Sequence, residues 1–134
     1  LESDLASTLL AAAEGRLAHV RLNWRLTPSI CVVLASEGYP GSYPTGLPIC
    51  GIDAAEATGA VVFHAGTRID SGRIVTGGGR VLGVTASGSD LEDAISRAYS
   101  AAAQIKFDGM HYRKDIGAKG LKRYSKRVGA QPRP

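Results

Sequence analysis

Apolar and polar positions change rhythm several times along the chain, and each rhythm predicts an element. "SDLASTLLAAAEGRL" sets Leu5, Leu9, Ala12 and Ala13 on one face at helical spacing. Ser3 or Asp4 can cap the start of that helix, and Gly15 can end it in the left-handed conformation. "LAHVRLNWRL" then spaces Leu17, Val20, Leu22, Trp24 and Leu26 as an extended segment, which Pro28 closes. Strand-like runs follow at Ser29–Ala35, Ala60–Ala65, Thr67–Asp70, Arg73–Thr76 and Arg80–Ala86. Within "RIDSGRIV", Ser71-Gly72 predicts the turn of a hairpin. After the last strand, "SGSDLEDAISRAYSAAAQIKFDG" carries Leu91, Ile95, Ala98, Ala102 and Ile105 on one helical face. Ser89 and Glu92 are spaced as its capping box, and Gly109 terminates it.

A helix, several short antiparallel-looking strands and a second helix predict an α+β fold: a small, mostly antiparallel sheet or open barrel packed by one long helix. The 134 residues suit one compact domain or a piece of a larger protein. The chain opens without Met inside what reads as a helix, so it is expected to be cut from a longer one. Aromatic residues are only 6% of the total, so the core must be built from Val, Ile, Leu and Ala. No apolar run approaches the ~20 residues of a membrane helix. Cys31 and Cys50 read as small buried hydrophobes and not as a disulfide, which fits a cytoplasmic protein.

Charge is unevenly distributed. Residues 1–104 hold seven Arg, no Lys and ten acidic residues, whereas nine Lys/Arg and two Asp follow from Ile105. A basic end could meet nucleic acid or phosphate, or it could be a solvated, flexible tail over 121–134. "TGGGRVLGVTA" lacks the phosphate-loop spacing and leads into a strand, not a helix. Its glycines allow a tight turn, beside which Arg80 either contacts an oxyanion or phosphate or is a surface Arg on a hairpin. In "HYRKDIG", Arg113 and Lys114 could grip a phosphate, or Asp115 could pair with one of them. His64 stands at the end of a strand, as a structural residue or a base. Asp90, Glu92 and Asp93 favour a helix N-terminus and do not read as a metal cluster. Neither a catalytic triad nor a set of metal ligands is legible.

"VVLASEGYPGSYPTG", "VVFHAGTRIDSGRIVTGGGRVLGVTASG" and "DLEDAISRAYSAAAQIKFDGMHYRKDIG", in this order and spacing, resemble the C-terminal region of the phosphoribosylamine–glycine ligase (glycinamide ribonucleotide synthetase) family of the ATP-grasp superfamily. The resemblance runs from Leu1 to about Gly120. It implies ATP-dependent joining of 5-phosphoribosylamine to glycine in purine biosynthesis, with ATP and magnesium held mainly by an ATP-grasp portion upstream. By the same resemblance, residues 1–27 end the ATP-grasp domain and residues 28–120 form a C-terminal domain that closes one wall of the substrate site. Its partners are then the missing N-terminal and ATP-grasp domains and the two small substrates. Arg80 is carried over as the first candidate for the sugar-phosphate contact. Gly38, Tyr39 and Pro40 form the loop wall, Arg113 and Lys114 are second, and His64 is third. No residue of this region is implied to be catalytic or to bind metal. Glu37 stands where the resemblance leads one to expect Lys.

Two other readings remain at this stage. One is a non-catalytic nucleic-acid-binding module using the basic end, against which five Tyr placed mostly in turns form no stacking platform. The other is the same domain of a sister ATP-grasp ligase.

Overall fold

The computed structural model describes the backbone of residues 1–128 and the side chains of residues 1–123. Its elements in chain order are α1 (Leu5–Ala13), a 3₁₀ turn (Leu17–His19), β1 (Ser29–Ala35), α2 (Ile52–Glu56), β2 (Val61–His64), β3 (Thr67–Asp70), β4 (Arg73–Thr76), β5 (Arg80–Ser87), α3 (Leu91–Ala102) and α4 (Ala118–Val128). The strand β5 lies between β1 and β2 and pairs antiparallel with both. The β3–β4 pair forms a separate hairpin. At its turn Ser71 and Gly72 both take positive φ, 49° and 77°, the geometry a two-residue hairpin loop demands. The α+β architecture with one helix covering a small antiparallel sheet is thus the observed one.

One face of the sheet makes the core. Val32 sits opposite Val84 and Leu34 opposite Leu82, and all four are fully buried. Ala94, Ala98, Ala101 and Ala102 of α3 are likewise fully buried. Their small side chains let the helix approach the sheet closely, and Ile105 and Phe107 fill the end of the layer.

Several expectations are corrected by this packing. Of the face read for α3, Ala98, Ala102 and Ile105 are fully buried as expected, Ala94 and Ala101 join them, and Leu91 and Ile95 are only half-buried. These two lean toward the start of α4: Leu91 comes close to Gly120, and Ile95 comes close to Gly117. The helix ends at Ala102, well before Gly109, where the chain turns to pair Cys50 with Lys106. Its cap is Asp90, whose Oδ1 accepts from Asp93 N at 2.9 Å, while Asp93 Oδ2 accepts from Ser89 N at 2.9 Å. The reciprocal cap therefore uses Asp90 and Asp93 in place of Ser89 and Glu92.

Beyond the 3₁₀ turn, residues 20–28 form no strand, since no described strand lies alongside to accept their hydrogen bonds. Trp24 and Leu26 are exposed there, as are Leu5, Leu9 and Leu10 of α1. Cys31 and Cys50 are free but exposed, not buried. Cys31 alternates out of phase with the buried Val32, and Cys50 exchanges backbone hydrogen bonds with Lys106. The basic segment from Leu121 continues α4 as far as Val128, so the boundary read at Gly120 falls inside a helix. Residues 129–134 of the expected tail lie outside the described residues.

Candidate functional site

Three stretches far apart in sequence meet at one residue. Ala35 ends β1 at a register shift and pairs with Arg80 at the start of β5. On its other side Ala35 exchanges backbone hydrogen bonds with His111, N to O at 2.9 Å and O from N at 3.0 Å. The next residue, Ser36, donates its N–H to Gly79 O at 2.9 Å and its hydroxyl to Gly78 O at 3.0 Å. Strand pairing thus brings the "SEGYP" loop, the glycine turn and "HYRKDIG" to the same end of the sheet.

Two adjoining concavities result. One, of about 400 Å³, is lined by Cys31, Val33, Ala35, Tyr39, Pro40, Arg80 and the stretch His111–Arg113 with Ile116. The other, of about 590 Å³, is lined by Phe63, Ala65, Gly66, Gly79, Leu82, Gly83 and Tyr43. Val33, Tyr39 and Arg80 border both, forming a ridge between them.

Tyr39 owes its position to a glycine. A Cβ added at buried Gly79 would collide with Cδ2, Cε2 and Cγ of the Tyr39 ring. The ring therefore rests directly on the glycine turn, and Tyr43 packs beside it with ring centroids 6.2 Å apart. Gly79→Ala is expected to push the ring off the ridge and to destabilise the fold by about 1–3 kcal/mol, as overpacking does. Urea unfolding read against the loss of Tyr39 protection in proton exchange or fluorescence checks this; an unchanged midpoint would contradict the contact.

The loop at 113–116 is fastened by one phenol. Tyr99 of α3 donates its hydroxyl to Arg113 O at 2.7 Å and accepts from Ile116 N at 3.0 Å. Its ring also packs near Tyr112, with centroids 6.1 Å apart. Tyr99→Phe keeps the ring and removes both bonds. A loss of about 1–2 kcal/mol in unfolding free energy is expected, because the half-buried Ile116 N–H is left without its partner.

Inside the loop Arg113 meets Asp115 in a two-pronged pair, Nε to Oδ1 at 2.9 Å and Nη2 to Oδ2 at 2.7 Å. Hydrogen bonding from Arg113 holds the Asp115 carboxyl below the usual carboxylate range, outweighing the opposing effect of desolvation. A carboxylate lowered in the folded state stabilises above its unfolded value, and that contribution disappears as pH falls through the lowered value. The pairing is therefore complete at neutral pH. Of the alternatives open for this motif, Asp115 pairing with Arg113 is the one found.

Of the residues singled out from the sequence, Tyr39, Pro40, Arg80 and Arg113 share a concavity. Gly38, His64 and Lys114 are not among its lining residues. Gly38 shapes the loop by accepting from Gly41 N at 2.7 Å. His64 is exposed, and its Nδ1 lies 2.9 Å from Thr67 Oγ1. Lys114 is exposed one position beyond the tied Arg113. Sequence reasoning missed His111, Tyr43, Val33 and Phe63. All four lay within motifs already quoted. Val33 and Phe63 were hidden because alternation alone does not say what faces the outer side of a strand.

Fold and site together define an α+β domain that presents an aromatic and cationic ledge along one side of a three-stranded sheet. A family model described as "Phosphoribosylglycinamide synthetase, C domain" matches residues 29–119, and the chain belongs to that family. Among curated relatives, the chloroplastic phosphoribosylamine–glycine ligase of Arabidopsis thaliana is 54% identical over 125 residues, covering 91% of this chain and 24% of its own length. The enzyme of the same name from Synechocystis is 50% identical, covering 90% of this chain and 29% of its length. A crystal structure of phosphoribosylamine–glycine ligase from Thermotoga maritima matches with a TM-score of 0.67 at 28% identity, over 83% of this chain and 28% of that one. The chain thus spans about a quarter to a third of the length of the relatives it matches.

Proposed function

We propose that this chain is the C-terminal domain of a phosphoribosylamine–glycine ligase, joining 5-phosphoribosylamine to glycine at the expense of ATP in purine biosynthesis. In this reading residues 28–120 supply one wall of the substrate site, and residues 1–27 close the ATP-grasp domain. The observation that carries it is the meeting of Tyr39 and Arg80 on one ridge, in a chain whose relatives bear that enzyme's name.

What the chain's own residues contribute is binding and orientation. Arg80 offers a planar, permanently charged fork suited to a phosphate, and it makes no ion pair with a described carboxylate. Arg113 is already satisfied by Asp115 and lends the loop rigidity more than free charge. The rings of Tyr39 and Tyr43 wall the ledge, so the ligand meets groups held in place before it arrives. Among the described residues no three His, Cys, Asp or Glu side chains could hold a metal ion. The donor set here fits an anion and not magnesium, so ATP and magnesium are assigned to the ATP-grasp portion of the full enzyme.

Two exposed free thiols suit a reducing compartment, and the cytoplasm is the location this reading takes. Among the described residues no helix is long and apolar enough to cross a membrane.

The test is an assay with ATP, magnesium, glycine and phosphoribosylamine. The 134-residue chain is expected to release no phosphate, whereas a polypeptide extended to the length of the relatives turns over. Steady phosphate release by the short chain alone would refute the division of labour. No release by the extended polypeptide would refute the assignment.

A further inference from the structure

The sheet has a second face, and it is not covered. On the side away from α3, Cys31 and Val33 of β1 and Val61 and Phe63 of β2 flank Gly83 and Thr85 of β5 in strict register. Val33 is 43% exposed, Val61 51% and Phe63 57%. Antiparallel sheets with one wet face normally place polar residues there; here only Thr85 and, at the far end, the Ser29–Ser87 pair are polar, while Cys31, Val33, Val61 and Phe63 surround Gly83. A contiguous apolar patch of this kind marks a surface that something else covers. Gly83 adds no side chain between Val33 and Phe63, so the centre of the patch is a shallow floor.

This face is continuous with the ledge. Cys31 and Val33 line the smaller concavity, and Val33, Phe63 and Gly83 line the larger one. Tyr39 and Arg80 stand at its edge. Both concavities are accordingly open on the side where the apolar floor extends, and a body seated on that floor would close them. The relatives hold about two-thirds or more of their length outside the region matched here, so a body of that size is available in one polypeptide. The exposed leucines of α1 and of residues 17–26, which lie outside the family match, are a second apolar surface on the same chain with the same need for cover.

We infer that the outer face of the β1–β5–β2 sheet is the seat of the remaining lobe of the ligase polypeptide, and that its docking converts the two open concavities into one closed substrate site. The inference rests on the ligase reading, and it adds which face meets the other lobe. Docking also explains why outward positions on β1 and β2 are Val and Phe: they are interior once the lobe is seated.

Cys31 provides the readout, because it lies on the face and its thiol is free and exposed in this chain. Cys50, equally free and exposed, lies away from the sheet beside Lys106. The experiment is peptide-resolved alkylation of the relative-length polypeptide with N-ethylmaleimide, native and in guanidinium chloride. The expected result is that Cys31 reacts at least about tenfold more slowly native than unfolded, at a rate independent of protein concentration. Native reaction at Cys31 close to the unfolded rate overturns the inference, even in an active enzyme, and so leaves the functional reading standing. Protection that fades on dilution also overturns it and assigns the face to a second copy of the chain. Phe63→Asp, made in the same polypeptide, is expected to restore Cys31 labelling while Cys50 labelling stays as in the parent. Should that variant fail to fold, the parent's labelling still decides the matter.

Discussion

Arg80→Ala in the relative-length ligase is expected to raise the KM for phosphoribosylamine by about ten- to a hundredfold, with a smaller effect on the KM for glycine. The size follows from the worth of a hydrogen bond to a charged group, about 1.5–3 kcal/mol, at roughly 1.4 kcal/mol per tenfold. Direction and selectivity follow from the site. Arg80 is exposed on the ridge shared by both concavities and is tied to no described carboxylate, unlike Arg113. Arg80→Lys should recover part of the loss, since it keeps the charge and gives up the planar fork. An unchanged KM in Arg80→Ala would remove this residue from the phosphate contact. A fall in stability without a KM effect would show instead that the side chain only braces the β5 start.

Leu34→Ala is expected to cost about 2–5 kcal/mol of unfolding free energy. Leu34 is fully buried and faces Leu82 across the β1–β5 pair, so truncation opens a cavity beneath α3 at the centre of the core. The midpoint in urea should fall with the slope unchanged, which marks a loss of stability and not a change in the unfolded state. Leu26→Ala serves as the comparison. Its side chain is fully exposed, and the change should lie within about 0.5 kcal/mol of zero in the 134-residue chain. A loss below about 1 kcal/mol at Leu34 would mean that the sheet does not form the layer described.

The strands were legible to within a residue or two because β-branched runs bounded by Gly, Pro and Ser carry local information. Ser29–Ala35, Thr67–Asp70 and Arg73–Thr76 stand where the pattern put them. Helix faces were less legible. Leu91 and Ile95 drew attention as large apolar residues and are only half-buried, whereas Ala94 and Ala101, which hydropathy ranks lower, went unread beside the expected Ala98 and Ala102 and are fully buried. The short α2 went unseen, since five residues after "PICG" carry too few positions to show a period. Residues 20–28 had a strand's spacing and no strand beside them, and spacing alone cannot supply a partner.

For the candidate site, the motif text led to Tyr39, Pro40, Arg80 and Arg113, which do lie together. It also led to Lys114 and His64, which sit outside the lining, because neighbours in a motif need not point the same way. His111 was passed over although it opens the same motif. Its backbone exchange with Ala35 is a long-range event with no local signature.

By itself the sequence determined the strand segments, the hairpin turn at Ser71-Gly72, the aliphatic core and the family to which residues 29–119 belong. Each of these depends on residues near one another in the chain, or on the whole ordered text. Only the tertiary structure decided that Ala35 would join Arg80 to His111, that Gly79 would bed the Tyr39 ring, and that one face of the sheet would remain apolar and open. Those outcomes depend on strand register and on contacts between segments dozens of residues apart, where a shift of one position would turn every side chain to the other face.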